Sequence, residues 1–196
     1  MENDEAPEPD RGGKARGDYH HGDLRAALLA AALAQVERGG ADSVNLSGLA
    51  QALGVSQPAP YRHFPDRAAL LAAVALEGFA RHQATLKAAA TQASRFSAPA
   101  RIAQAHVAFG LGHLGLYRLM FATPVSARDD LLSASHAGFD LLLAALQEVG
   151  YGQGARRRAV KLWAAAHGLV MFSDQGLFDQ ELTTMPLAAL IDDIVA

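Results

Sequence analysis

Between Asp23 and Arg38 the apolar residues Leu24, Leu28, Ala32 and Val36 recur at every fourth position, with Ala31 beside them. This spacing lines one face of an α-helix, and Asp23 is the acid that the positive end of a helix dipole favours. Gly39-Gly40 ends the pattern. A second, shorter helix is predicted after Asn45, a strong N-cap residue, with Leu49, Ala50 and Leu53 turned inward and Gly54 as its stop. Asp66 is placed to cap a long helix reaching about Ala90, whose apolar positions include Leu70, Leu71, Val74 and Phe79. Helical pattern continues over about 99–112, 115–122, 127–149, 154–177 and 185–195. Gly115, Thr123-Pro124, the GYGQG cluster and Met185-Pro186 separate these segments.

Composition supports an all-α chain. Alanine and leucine dominate, and runs of β-branched residues are nearly absent. With 196 residues, 51% hydrophobic and 19% charged, the chain can bury a substantial interior, as one domain with an appendage or two small domains sharing a core. There is no cysteine, which excludes disulfides and thiolate metal sites and fits a reducing compartment. The acidic opening MENDEAPEPD contains no apolar segment, and no span approaches about 18 apolar residues, so neither a signal peptide nor a membrane helix is expected. The expected location is the cytoplasm.

Net charge is −3, but its distribution is uneven. Residues 1–10 carry five acids and no base, whereas residues 11–90 carry nine Lys/Arg against six Asp/Glu. Residues 1–18 read as a disordered tail, either a solvated leader or an arm that follows a phosphate backbone through Arg11, Lys14 and Arg16.

The stretch VSQPAPYRHFPDR (55–67) places three prolines where a short helix is predicted to begin. Helices leave their first N–H groups unpartnered, so proline is tolerated there. With Gln57 as cap, neither Pro58 nor Pro60 removes a bond; with Ser56 as cap, Pro60 forfeits the first one. Both alternatives stand. Pro60 is also expected to push Ala59 out of the right-handed helical region. Helix, turn, stiff short helix, then long helix is the outline of a helix-turn-helix module, for which Ala50, Gly54, Val55 and Ser56 have the right spacing. In a DNA major groove, Gln57 would pair with adenine, while Pro58 and Ala59 would meet a thymine methyl. Arg62 is a further groove contact. Tyr61, His63, Arg67 and Ser47 are placed to touch phosphates, with Ser56 at the helix entry. The competing interpretation is an ordinary surface turn between packed helices.

The segment SGLAQALGVSQPAPYRHFPDRAALLAAV (47–74) closely resembles the DNA-binding motif of the tetracycline-repressor (TetR) family of bacterial transcriptional regulators. Leu49, Ala50, Gly54, Val55, Ser56, Tyr61, His63, Phe64 and Leu70 match it, Arg67 stands where the family usually has lysine, and Ser47 where it often has arginine. FGLGHLGLYRLMF (109–121), LWAAAHGLVMF (162–172) and the leading YHHGDL (19–24) are similar to a subgroup named for a Trp-His-Gly signature, spread here over Trp163, His167 and Gly168. Leu114 stands where that subgroup commonly has proline. The resemblance implies an N-terminal helix-turn-helix domain over 19–66, a linking helix over 67–90, and a ligand-binding and dimerisation domain over 91–196. It further implies a homodimer on double-stranded DNA with a palindromic operator, released by a small, mostly apolar effector.

In the C-terminal half, His106, Phe109, His113, Tyr117, Phe121, His136, Phe139, Trp163, His167 and Met171 are the candidate lining of such a pocket. His106 and His113 share one face if their helix is continuous. The plainer interpretation is ordinary core aromatics with partly buried histidines. No metal site is proposed, since converging ligands are lacking, and no cofactor is implied. GLGHLG (110–115) fits the G-x-G-x-x-G pattern literally but lacks the flanking strand; its glycines more naturally loosen a helix or let another approach. Arg156, Arg157, Arg158 and Lys161 read as a solvated face or part of a dimer surface. No catalytic arrangement stands out, so an enzyme is not expected. The alternative is a helical carrier or enzyme that retains a helix-turn-helix module.

Overall fold

The computed structural model describes residues 24–123 and 128–176. Among these residues there are seven α-helices and no strand. They are α1 (Leu24–Gly39), α2 (Leu46–Ala52), α3 (Arg67–Thr91), α4 (Ala98–Gly112), α5 (Leu114–Ala122), α6 (Asp129–Glu148) and α7 (Ala155–Asp174). The tail over 1–18, the Asp23 helix start and the helix predicted over 185–195 lie outside the described residues.

Local chemistry sets the boundaries. Asn45 caps α2 by accepting from the Gly48 N–H at 2.6 Å, and Asp66 caps α3 by accepting from the Ala69 N–H at 2.7 Å. Gly54 follows α2 with φ +67°, a left-handed conformation that glycine adopts without a Cβ penalty. The break between α4 and α5 falls at His113, whose φ of −136° and ψ of 46° are not helical, although Leu114 occupies the place of the expected proline.

One apolar core runs from Leu24 to Val170 and includes residues of every helix, so the N-terminal and C-terminal parts share an interior. The predicted stripe of α1 is buried, with Leu28, Ala32 and Val36 fully enclosed. Leu28 and Val36 each contribute about 1.5–3 kcal/mol. The 25 residues of α3 span about 37 Å, long enough to pack against α1 as well as α4, α5 and α6. Its far end is fastened by Arg101 of α4, which donates to the carbonyls of Ala89, Ala90 and Phe96. A close approach between the two parts is at α5. A Cβ on Gly115 would lie 2.2 Å from the Val36 carbonyl oxygen of α1, so only glycine fits.

Candidate functional site

The proline-rich stretch forms a single 3-10 turn, Pro60–Arg62, rather than a regular short helix. Its bonds run three residues back. The Ala59 N–H donates to Ser56 O at 2.9 Å, Arg62 N–H to Ala59 O at 3.3 Å, and His63 N–H to Pro60 O at 3.0 Å. Ser56 O accepts in the preceding turn, but the residue that caps the 3-10 turn is Ala59, so neither Ser56 nor Gln57 is its cap, and Pro60 lacks the N–H that an α-helical bond to Ser56 would need. Ala59 does not leave the helical region as expected: its φ and ψ are −61° and −44°. The bias imposed by a following proline is overcome because Pro60 and Phe64 are buried, which anchors the turn from below.

Above that anchor the polar residues face solvent. Ser47, Ser56, Gln57, Pro58, Tyr61 and Arg62 are exposed, while Ala59 and His63 are half-buried. Gln57 Nε2 lies 3.4 Å from Ser47 O, tying the turn loosely to α2. The Arg25 guanidinium of α1 sits 5.2 Å from the centre of the Phe64 ring, a cation–π contact beneath the same turn. Arg67 is partly occupied by the protein itself. Its Nε donates to Val44 O at 2.9 Å, and Nη2 donates to Ala41 O at 2.6 Å and to Asp42 Oδ1 at 3.3 Å. The guanidinium thus ties the start of α3 to the connection between α1 and α2.

A second constellation lies in the interior. His82 Nε2 of α3 is 3.0 Å from His106 Nδ1 of α4; His106 Nε2 is 2.8 Å from the Tyr117 hydroxyl of α5; that hydroxyl is 2.6 Å from His167 Nδ1 of α7. The chain of four polar groups crosses four helices. His82, His106 and Tyr117 are buried and His167 is half-buried. Burial pushes His82 down to about 4 and His106 well below its ordinary value, with His82 and His167 adding repulsion at His106. Burial also lowers His167 and raises Tyr117. All four are therefore neutral near pH 7. Aromatic rings pack around them, with Trp163 at 4.3 Å from His106, Phe109 at 5.1 Å from His82 and Phe121 at 4.8 Å from His167.

Residues 28–74 match the family described as bacterial regulatory proteins, tetR family, and residues 100–195 match the tetracyclin repressor-like C-terminal domain. The chain belongs to the TetR family of transcriptional regulators. An HTH-type transcriptional regulator of Mycobacterium tuberculosis is 27% identical over 157 residues, covering 79% of this chain and 72% of that protein. A Rhodococcus structure of unknown function is 35% identical, with a TM-score of 0.77, over 91% of this chain and 94% of that one. A TetR variant from Acinetobacter baumannii in complex with minocycline shares the fold, with a TM-score of 0.57 at 23% identity, covering 86% and 92% of the two chains.

In this TetR-family chain, the ten candidate lining residues do not all converge. His106, Phe109, Tyr117, Phe121, Trp163 and His167 share one cluster, and Phe139 stands edge-on to Trp163 at 6.1 Å. Met171 packs against the core. His113, where α4 ends, packs its ring on Phe109 at 4.8 Å at the edge of the cluster, and its Nδ1 meets Glu37 Oε1 of α1 at 2.8 Å. His106 and His113 consequently do not share a continuous helix. His136 is exposed. Sequence reasoning missed His82, although its place on the apolar face of α3, three residues after Phe79 and four before Leu86, was a usable signal. Both GLGHLG glycines that matter are packing sites: Gly115 lies against α1, and Gly110 against Val170 of α7. Among the described residues no cluster of three or more His, Asp or Glu could hold a metal, and no helix is long and apolar enough to cross a membrane.

Proposed function

We propose that this TetR-family regulator is a repressor that binds a palindromic operator as a homodimer and is released by a small, mostly apolar effector. One observation carries the DNA-binding role: Gln57, Pro58, Tyr61 and Arg62 stand exposed in a row over a turn anchored by buried Pro60 and Phe64. A rigid backbone presenting mobile donors suits a major groove, where outline must be fixed before base edges are read. Gln57, Pro58, Ala59 and Arg62 are the base or groove contacts. Tyr61, His63, Ser47 and Arg67 hold phosphates, and Ser56 precedes the turn. In a dimer the two turns would occupy successive grooves about 34–36 Å apart.

The effector is assigned to the region around α4, α5 and α7, with domain limits of 19–66, 67–90 and 91–196. A TetR variant of the same fold is in complex with minocycline, which supports a small-molecule effector for this chain. Effector binding shifts the dimer only by its differential affinity for the DNA-bound and released arrangements.

The test is retention of the protein's own promoter fragment in a gel shift, followed by selection of bound fragments from genomic DNA and sedimentation of the complex. A twofold-symmetric motif carrying two chains per site supports the proposal. Retention without sequence preference, or one chain per site, overturns it.

A further inference from the structure

Arg25 is the second residue of α1, a place where the positive end of a helix dipole disfavours a cation. Helix stability therefore does not explain it. Among the described residues no carboxylate or carbonyl accepts a hydrogen bond from its guanidinium, which instead lies over the Phe64 ring, 5.2 Å from the ring centre. A cation–π contact uses the charge and none of the five N–H donors, so these remain available to an outside acceptor.

Phe64 decides where that charge stands. Its own N–H donates to Pro60 O at 3.0 Å, so its ring is fastened to the Pro60–Arg62 turn, and α1 packs against the same turn. Phe64 is buried while Arg25 is exposed, which puts the guanidinium on the solvent side of the ring. The cation is thereby tied to the backbone that presents Tyr61 and Arg62. The surrounding surface has one sign. Residues 24–36 and 43–65, which make up most of α1, all of α2 and the turn, contain Arg25 and Arg62 and no acid. Glu37 is twelve residues further along α1, about 18 Å away, and Asp66 is engaged as the cap of α3. A polyanion meets positive charge here without local repulsion.

We propose that Arg25 is a DNA phosphate contact, seated by Phe64 so that a grip on the backbone and the groove-reading turn form one body. This rests on the DNA-binding role proposed above and extends its footprint from the turn to the start of α1. The grip is blind to base identity, because phosphates carry no sequence. Its effect is on position: it holds the depth and angle at which Gln57 and Arg62 meet base edges, without itself touching a base.

Two variants at this exposed position separate charge from fold. Arg25→Gln removes the cation and Arg25→Lys keeps it, and both replacements are good helix formers. Each full chain is titrated with its own promoter fragment, and with single-base variants of that fragment, between low and moderate salt. Arg25→Gln should weaken binding to all of these duplexes by the same factor and lower the salt slope by about 1 for each chain bound. Arg25→Lys should keep the wild-type slope. The melting temperature of Arg25→Gln should fall by no more than about 4 °C, the scale of one exposed cation–π contact. Methylphosphonate substitution, which neutralises one phosphate at a time, locates the contact. One backbone position should weaken the wild type when neutralised and leave Arg25→Gln unaffected. With promoter binding intact, an Arg25→Gln slope equal to that of the wild type, or the lack of any such position, overturns this inference alone and leaves Arg25 a packing residue. A loss confined to one base pair overturns it in favour of a base contact. A wild-type chain that does not retain the promoter fragment overturns the DNA-binding role and this inference together.

Discussion

Arg67 is where two demands on one side chain separate cleanly. Its Nε and Nη2 donate to Val44 O, Ala41 O and Asp42 Oδ1, while Nη1 has no partner among the described residues and remains for a phosphate. Charged hydrogen bonds contribute about 1.5–3 kcal/mol each when shielded. The side chain here is 43% exposed and the Asp42 carboxylate is fully exposed, so the ion pair adds little. Discounted for solvent, the two carbonyl bonds amount to about 1–2 kcal/mol. Arg67→Ala should therefore lower the melting temperature by about 3–6 °C in a chain of this size, and reduce the salt slope of DNA binding by about 1 for the lost phosphate contact.

Arg67→Lys splits these effects. An ammonium keeps the charge but cannot fork across two carbonyls and a phosphate. It should retain the full salt slope while losing most of that ~1–2 kcal/mol. The assays are urea unfolding at fixed protein concentration and operator binding between low and moderate salt. An alanine variant that loses the slope but melts like wild type would falsify the clamp. One that melts earlier with an unchanged slope removes Arg67 from the phosphate contacts.

Three further outcomes follow from the same geometry. Gly115→Ala must push α5 from the Val36 carbonyl by about an ångström, which overpacking costs at about 1–3 kcal/mol; denaturant unfolding checks this, and an unchanged midpoint contradicts the close approach. Gln57→Ala should relax discrimination at one base position and leave the salt slope intact, measured by binding to single-base operator variants; uniform weakening with a reduced slope would instead make Gln57 a phosphate contact. His82 and His106 hold less proton affinity folded than unfolded, so stability is complete above about pH 6.5 and declines as pH falls from there toward about 4. At pH 5 the loss should reach about 2 kcal/mol per buried imidazole relative to pH 7.5, and a flat profile of unfolding free energy across this range would show that the imidazoles are not buried neutral.

The helices were legible because their signals are local. Fourfold spacing in α1, Asn45 and Asp66 as caps, and Gly54 as a stop each act within a few residues, and each operates in the structure as its chemistry dictates. Positions that depend on distant neighbours were not legible. Pro60 disfavours a helical Ala59 locally, yet the pocket that receives Pro60 and Phe64 belongs to the assembled module and decides the matter. Arg67 reads as a free cation in sequence because its acceptors are backbone carbonyls more than twenty residues away, which no side-chain pattern reveals.

The interior chain shows why sequence spacing found most of the polar cluster and not its root. His106, Tyr117 and His167 stand out among aromatic neighbours in short segments, whereas His82 is a single imidazole in a helix chosen for its apolar face. An isolated histidine at such a position would be costly, since each ring nitrogen needs a partner once water is excluded. Its tolerance on α3 therefore depends on His106 of α4, and that of His106 on Tyr117 of α5. Removing one link strands the next. His82→Leu should consequently leave His106 Nδ1 unpaired and favour the tautomer with its proton on Nε2, fixing the direction of the remaining chain. Nitrogen-15 chemical shifts of His106 measure that tautomer directly, and a His106 signal identical to wild type would mean that the two imidazoles are neighbours without being partners.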